Sequence, residues 1–275
     1  MKSSRRELLK ILATLPMAGI PSIQLPKGAK SPAPIKPREY SFENFVVGQN
    51  NETAYAACMV LARAPGDKEL NPFFLCGPVG MGKTHLLAAT ALEMSKNFPK
   101  MRIKYMNTDM LIDRTITAIR KNQIKELRQR FLTDTDALFL EDVHMLRRGE
   151  ALQEEFLQLI DHYEQNNKAL IVTSDSTPAS TELWPKIQDR FMGGFVAEIK
   201  MPGDDVSRAV LRYKSTCYGM RVPDDVIEYI TRTSPRSFRE MDGHLVRLKL
   251  ASELRDRPIT LDLAMDVIPT DKGGV

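Results

Sequence analysis

The 275-residue sequence predicts an α/β protein. Its core is a five-stranded parallel sheet covered on both faces, and a small all-helical subdomain follows. Three observations carry this. Short, fully apolar runs alternate with helical stretches between residues 73 and 199, the pattern of parallel strands buried on both sides. A glycine-rich phosphate-loop signature joins the first run to the first long helix. From Asp204 onward the pattern is helical only.

Composition sets the frame. Hydrophobic residues make up 43% and charged residues 27%, an ordinary globular mixture that excludes a disordered, collagen-like or membrane-embedded chain. No stretch approaches the ~18–20 apolar residues of a spanning helix. Three cysteines, Cys58, Cys76 and Cys217, are too few and too scattered for a disulfide framework or a cysteine-rich zinc site, which suits a reduced cytoplasmic setting. The net charge of +4 is uneven. Residues 1–40 hold eight Lys/Arg and two Asp/Glu, which leaves 31 basic and 33 acidic residues, net −2, in the rest. The folded body is therefore not a broadly basic nucleic-acid binder, and any nucleic-acid contact must come from local patches.

In chain order, residues 1–39 form a leader and linker. Pro21, Pro26, Pro32, Pro34 and Pro37 fix φ and remove amide donors, so this segment is extended. Ser4–Lys10 resembles a twin-arginine export signal, with Ile11–Ile20 as a weakly apolar core. No small-residue cleavage site follows. Leu8, Leu9, Ile11, Leu12 and Leu15 also fit one face of a short amphipathic docking helix. A cytoplasmic location is expected, with export as the alternative.

The α/β core is assigned to residues 40–202. Phe73–Cys76 is the first strand and Lys83 to about Lys96 a helix, with Leu86, Leu87, Ala91 and Met94 at helical spacing. Ile103–Met106 is the second strand. Asp109 to about Leu132 is helical, in two pieces: thirty residues separate Met106 from Ala137, whereas one crossover needs only a dozen or more. Ala137–Leu140 is the third strand, Glu150–Asn166 a helix, Ala169–Thr173 the fourth strand and Val196–Ile199 the fifth. Residues 203–275 form the helical subdomain, with helices at 204–218, 224–233, 237–254 and 260–268.

Gly77, Gly80, Gly82, Lys83 and Thr84 fit the pattern G-x-x-x-x-G-K-[ST], between a strand and a helix as required. Such glycines let backbone amides and a helix N-terminus wrap a phosphate chain. Lys83 reaches the β- and γ-phosphates, and the Thr84 hydroxyl ligates Mg²⁺. His85, the next residue, is grouped with the ATP-binding set. The third strand ends in Glu141 and Asp142. In a phosphate-loop ATPase one such acid holds the metal and the other orients the attacking water. The fourth strand runs into Ser174 and Asp175, at the sheet end where ligands bind and a polar group can sense a γ-phosphate.

Together these residues resemble the AAA+ ATPases, and within them the bacterial replication-initiator family, DnaA. The resemblance runs from about Tyr40 to Ile268. Tyr40–Gly48 is similar to the opening segment that lies against adenine. Asn71–Leu75 leads into the phosphate loop as in that family, and Gln153–Phe156 follows the acid pair at the family's distance. Asp189–Phe191 resembles the arginine-finger motif, which implies that Arg190 acts on a neighbour's γ-phosphate. Phe238–Gly243 resembles the lid motif whose arginine, here Arg239, is sensor II, and Pro258–Asp262 matches the start of the last lid helix.

The resemblance also implies that the two-helix insertion touches single-stranded DNA through Ile116 and Thr117. Lys121, Lys125, Arg128 and Arg130 make that element basic, and Arg147 and Arg148 add phosphate contacts. Glu141 stands where the family has Asp, Lys186 in the place of a second Arg, and Ala151 in the place of a basic residue. A helix-turn-helix domain for duplex DNA is expected to be missing. The expected function is an ATP-dependent replication switch, weakly hydrolytic, that self-associates and engages single-stranded DNA. The alternative is a regulator of the Hda type that docks on a full-length initiator or a replicative helicase.

Overall fold

The structure is a computed structural model, and it describes residues 40–234 and 237–268. The leader, including the twin-arginine-like and amphipathic segments, lies outside the described residues.

Five strands form one parallel sheet: β1 (Phe73–Cys76), β2 (Ile103–Asn107), β3 (Ala137–Glu141), β4 (Ala169–Ser174) and β5 (Phe195–Glu198). Their spatial order is β2-β3-β4-β1-β5, and every pairing is parallel. The apolar runs split between two faces with the period of two that a pleated strand imposes. Phe73, Leu75, Phe139 and Ile171 join one core cluster, packed under helices α1 (Glu52–Arg63) and α2 (Lys83–Asn97). Phe74, Cys76, Leu138, Leu140 and Val172 join the cluster on the other face. That face is covered by α3 (Thr108–Arg120), α4 (Ile124–Thr133), α5 (Glu150–Gln165) and α6 (Pro185–Gly193). The edge strand β2 is only partly buried, and its polar Lys104, Tyr105 and Asn107 mark it as an edge.

Four helices follow: α7 (Asp204–Cys217), α8 (Asp224–Thr233), α9 (Phe238–Arg255) and α10 (Leu261–Val267). They close on a separate apolar cluster that includes Leu211, Ile227, Ile230, Leu245, Leu248 and Leu263. Local signals set their ends. Asp224 and Asp225 occupy the first turn of α8, where negative charge suits the helix dipole. The side chains of Ser237 and Thr260 cap α9 and α10 by accepting the amides of Arg239 and Leu263.

Two helices depart from the sequence reading. Helix α1 buries Ala54, Ala57, Cys58, Leu61 and Ala62, so its packing face is built mostly from small residues. Asn51, just before it, accepts the Gly48 amide at 2.9 Å and donates to the Val46 carbonyl at 3.1 Å, which ties down the opening segment. Helix α6 begins with Pro185 and buries Ile187 and Phe191 four residues apart. A 3-10 helix spans Val143–Arg148. Among the described residues no helix is long and apolar enough to cross a membrane.

Candidate functional site: a nucleotide cleft between sheet and lid

The C-terminal ends of the central strands deliver chain to one edge of the sheet, and there the phosphate loop leaves β1. Gly77 is packed so closely that a Cβ would stand 2.3 Å from the Ile199 carbonyl oxygen. Gly80 has φ +81°, left-handed backbone that favours glycine. A Cβ there would stand 2.1 Å from the Ser237 hydroxyl oxygen and 3.5 Å from the Arg239 Cβ. The loop is thus in direct contact with the start of α9. Helix α2 begins just after Gly82, with its first amides directed at the loop.

These elements enclose a cleft of about 520 Å³, the size of an ordinary small-molecule site. Gly80, Gly82, Lys83, Thr84, His85, Asp142, Asp175 and Arg239 all line it. Gly77 and Glu141 are not among its lining residues. Lys83 is 7% exposed and donates to the carbonyls of Gly77 at 2.6 Å and Pro78 at 3.0 Å. Burial lowers its pKa, while Asp142 and Asp175 pull it back up. Asp142 shifts the other way: burial raises it, His144 opposes the rise and Glu141 adds to it. Its amide is fixed on the Thr173 hydroxyl at 3.0 Å. His144 stands across from Asp175, Nδ1 to Oδ1 at 3.5 Å.

Thr84 donates its hydroxyl to Glu141 Oε2 at 2.7 Å. The Tyr105 hydroxyl donates to the other oxygen, Oε1, and Thr108 donates to the Glu141 carbonyl at 2.6 Å. Among the described residues no group of three or more His, Cys, Asp or Glu converges to hold a metal. Mg²⁺ takes most of its ligands from water and phosphate and needs only one or two protein oxygens, here the Thr84 hydroxyl with Glu141 beside it.

At the other end of the cleft, Tyr40 and Phe45 each bring a ring to His85, with centroids 5.1 Å away in both cases. The His85 Nε2–H donates to the Ser41 carbonyl at 2.8 Å, and burial lowers the ring's pKa. From the lid come Tyr213 and Lys214 of α7. Lys214 is held by Asp242 at 2.9 Å, and the Tyr218 hydroxyl donates to the same carboxylate at 2.8 Å. The result is an aromatic, partly apolar end and a cationic, oxygen-rich end, the division that a base and a phosphate chain require.

Arg190 lies elsewhere. It is on α6, away from this cleft, and bridges Asp161 at 2.9 Å and Glu164 at 3.6 Å on α5. Burial raises the Glu164 pKa, and Arg190 counters the rise.

The residues singled out for DNA are dispersed. Ile116 packs partly into the core cluster on its side of the sheet. Arg147 is paired with Glu182 at 3.2 Å and Arg148 with Asp109 at 3.1 Å, while Arg128 is clasped by Glu155 at 2.6 Å. Lys125 is exposed. Thr117 and Lys121 line a second groove of about 510 Å³ between β2, α3 and α4. That groove also contains Lys104, Arg114 and Arg130, with Asp113 and Glu126 as its acids. Lys104 lies over the Phe131 ring at 4.1 Å, and its pKa is lowered by burial first and then by Arg114 and Arg130. Sequence reasoning missed Lys104 and Arg114 here, and Tyr105, His144 and Ser237 around the cleft. Lys104 and Tyr105, on β2, are distant in sequence from the motifs they join, whereas Arg114, His144 and Ser237 lie within two residues of positions already singled out.

Comparison with known proteins gives a consistent result. A family model described as "Bacterial DnaA ATPAse domain" matches residues 36–198. The chromosomal replication initiator protein DnaA of Bdellovibrio bacteriovorus is 39% identical over 231 residues, which are 84% of this chain and 49% of that protein. Domain III of the Thermotoga maritima DnaA superposes with a TM-score of 0.79 at 26% identity, covering 86% of this chain and 98% of that one. A replication initiator DnaA bound to AMPPCP and single-stranded DNA superposes with a TM-score of 0.71 at 29% identity, over 79% of this chain and 68% of that one. The chain spans about half the length of the curated relatives it matches. It belongs to the bacterial DnaA ATPase-domain family.

Proposed function

We propose that this chain is an ATP-binding switch of the DnaA type that acts in the initiation of DNA replication. The observation that carries the proposal is the cleft itself, where a phosphate loop, an acid pair and a lid arginine meet opposite an aromatic end. Tyr40, Phe45 and His85 would hold the base. The loop amides and Lys83 would bind the phosphates, and Arg239 would close over them from the lid. Thr84 and Glu141 would hold Mg²⁺, which neutralises charge on the β- and γ-phosphates. Asp142, beside His144 and Asp175, is positioned to orient water for slow hydrolysis.

Arg190 is not among the residues that line its own cleft, which supports a role on a neighbouring subunit, where it would exchange Asp161 and Glu164 for that subunit's nucleotide. There it would complete that subunit's γ-phosphate site and couple ATP to self-association. The similar replication initiator DnaA bound to AMPPCP and single-stranded DNA supports a single strand as a ligand of this chain. The groove of Lys104, Arg114, Lys121 and Arg130 is the stronger candidate on α3 and α4, because Arg128, Arg147 and Arg148 are already paired with carboxylates.

Fluorescence anisotropy on labelled single-stranded oligonucleotides, with and without ATP, tests this reading. ATP-dependent binding is expected. Three or four phosphate contacts give a log–log salt slope of about −2 to −3. No single-strand binding in either state would favour the docking alternative, a regulator acting on a full-length initiator or a helicase.

A further inference from the structure

Glu141 is one methylene longer than aspartate, and its environment matches that extra length. The residue ends β3, and Asn107 of β2 is its register partner. Two residues back on the same strand, Tyr105 pairs with Phe139 and stacks on it, with centroids 6.2 Å apart and planes 15° from parallel. A diagonal cross-strand neighbour lies within reach of an aromatic side chain, and the Tyr105 hydroxyl closes that diagonal onto Glu141 Oε1. Thr84 from α2 takes Oε2. Thr108 from α3 takes the backbone carbonyl. Two elements therefore fix the carboxylate, and a third fixes the backbone that carries it.

The consequence lies at Thr84. A hydroxyl has one proton and two lone pairs. With its proton committed to Glu141, the Thr84 oxygen presents its lone pairs elsewhere, as a cation ligand must. Glu141 dictates this orientation only if it is held in place itself, and Tyr105 holds it. An aspartate, shorter by about 1.5 Å, would not span both Thr84 and Tyr105.

We infer that Tyr105 is a positioning residue for the Mg²⁺ end of the nucleotide site, acting through Glu141 on the Thr84 hydroxyl. The inference rests on the nucleotide-site reading above and adds to it a residue on the sheet edge that is not among those lining the cleft. Tyr105 is 40% exposed, so Tyr105→Phe keeps the ring on Phe139 and removes only the donor.

The experiment measures the affinity of the full chain for a fluorescent ATP analogue, first without divalent cation and then across a Mg²⁺ titration. Wild type, Tyr105→Phe, Glu141→Asp and the double variant are compared. Tyr105→Phe should leave metal-free affinity unchanged. It should raise the half-saturating Mg²⁺ concentration about three- to tenfold, the loss expected when a charged acceptor gives up one donor but can still reach water. In the Glu141→Asp background the same change should have no further effect, because the pair acts as a unit. A Mg²⁺ response indifferent to Tyr105, or one that adds fully to Glu141→Asp, would overturn the inference and leave nucleotide binding intact. No nucleotide binding by wild type would overturn the site reading and this inference with it.

Discussion

Replacing Gly80 with alanine tests whether the lid closes the phosphate end of the cleft. At φ +81° a Cβ carries a conformational cost of about 1 kcal/mol, which the loop bears whether or not the lid is docked. The second cost arises between core and lid. The new Cβ would stand 2.1 Å from the Ser237 hydroxyl oxygen and 3.2 Å from its Cβ. The hydroxyl can rotate away. Doing so releases the Arg239 amide, which Ser237 caps at 3.2 Å, and losing such a cap costs about 1 kcal/mol. Moving the start of α9 instead keeps the cap but carries Arg239 off the phosphate loop. Either route weakens nucleotide binding by about fivefold or more. The assay is titration with a fluorescent ATP analogue, alongside denaturation curves to follow the loop strain. A second background separates the causes. Ser237→Gly removes the clashing atoms, and glycine is a tolerable N-cap. Gly80→Ala should therefore lose most of its effect on affinity in Ser237→Gly. An equal loss in both backgrounds would refute the argument that loop and lid meet here.

Further outcomes follow from the same geometry. Arg190→Ala should bind ATP like wild type, because Arg190 is outside its own cleft, yet lose ATP-dependent self-association in sedimentation velocity; unchanged assembly would remove the trans role. Arg114→Glu with Arg130→Glu should abolish single-strand binding in anisotropy while sparing nucleotide affinity, whereas Arg147→Glu should have a smaller effect because Glu182 already occupies that arginine. Burial lowers the pKa of both His85 and His244. The unfolded chain then binds protons first as pH falls, so this stability is complete above about pH 6.5 and declines below it, by at most about 1.4 kcal/mol per histidine per pH unit. Urea midpoints at pH 7.5 and 5.5 should show the decline, and His244→Gln should reduce it.

Apart from β2, which carries Lys104 and Tyr105, the strands were legible because they are short apolar runs ending in a glycine or polar group, and period two then divides each between faces without further information. The phosphate loop and acid pair were legible because their chemistry is written in consecutive residues. Helix α1 was missed although Ala54, Ala57, Cys58, Leu61 and Ala62 recur at helical spacing; alanine is too weakly apolar for the stripe to stand out. In α6, Pro185 at the first turn with Ile187 and Phe191 four residues apart was a readable signal in a short segment. Tyr105 could not be found by spacing, because its meeting with Glu141 depends on strand register. The Gly80–Ser237 contact depends on how the lid folds back over the core. The basic residues of α3 and α4 were visible, but not which were already paired: Arg128 looks like Arg130 until Glu155 is placed beside it.

The central claim is that this cleft binds ATP through its phosphate loop, and Lys83 tests it most directly. Lys83 is buried, and its ammonium is held by two loop carbonyls at the phosphate end. Isothermal titration of Mg²⁺–ATP into wild type and Lys83→Ala, with circular dichroism to verify the fold, is the measurement. The account predicts one site per chain in wild type and loss of most of the affinity in a folded Lys83→Ala. Unchanged affinity in that variant would contradict it.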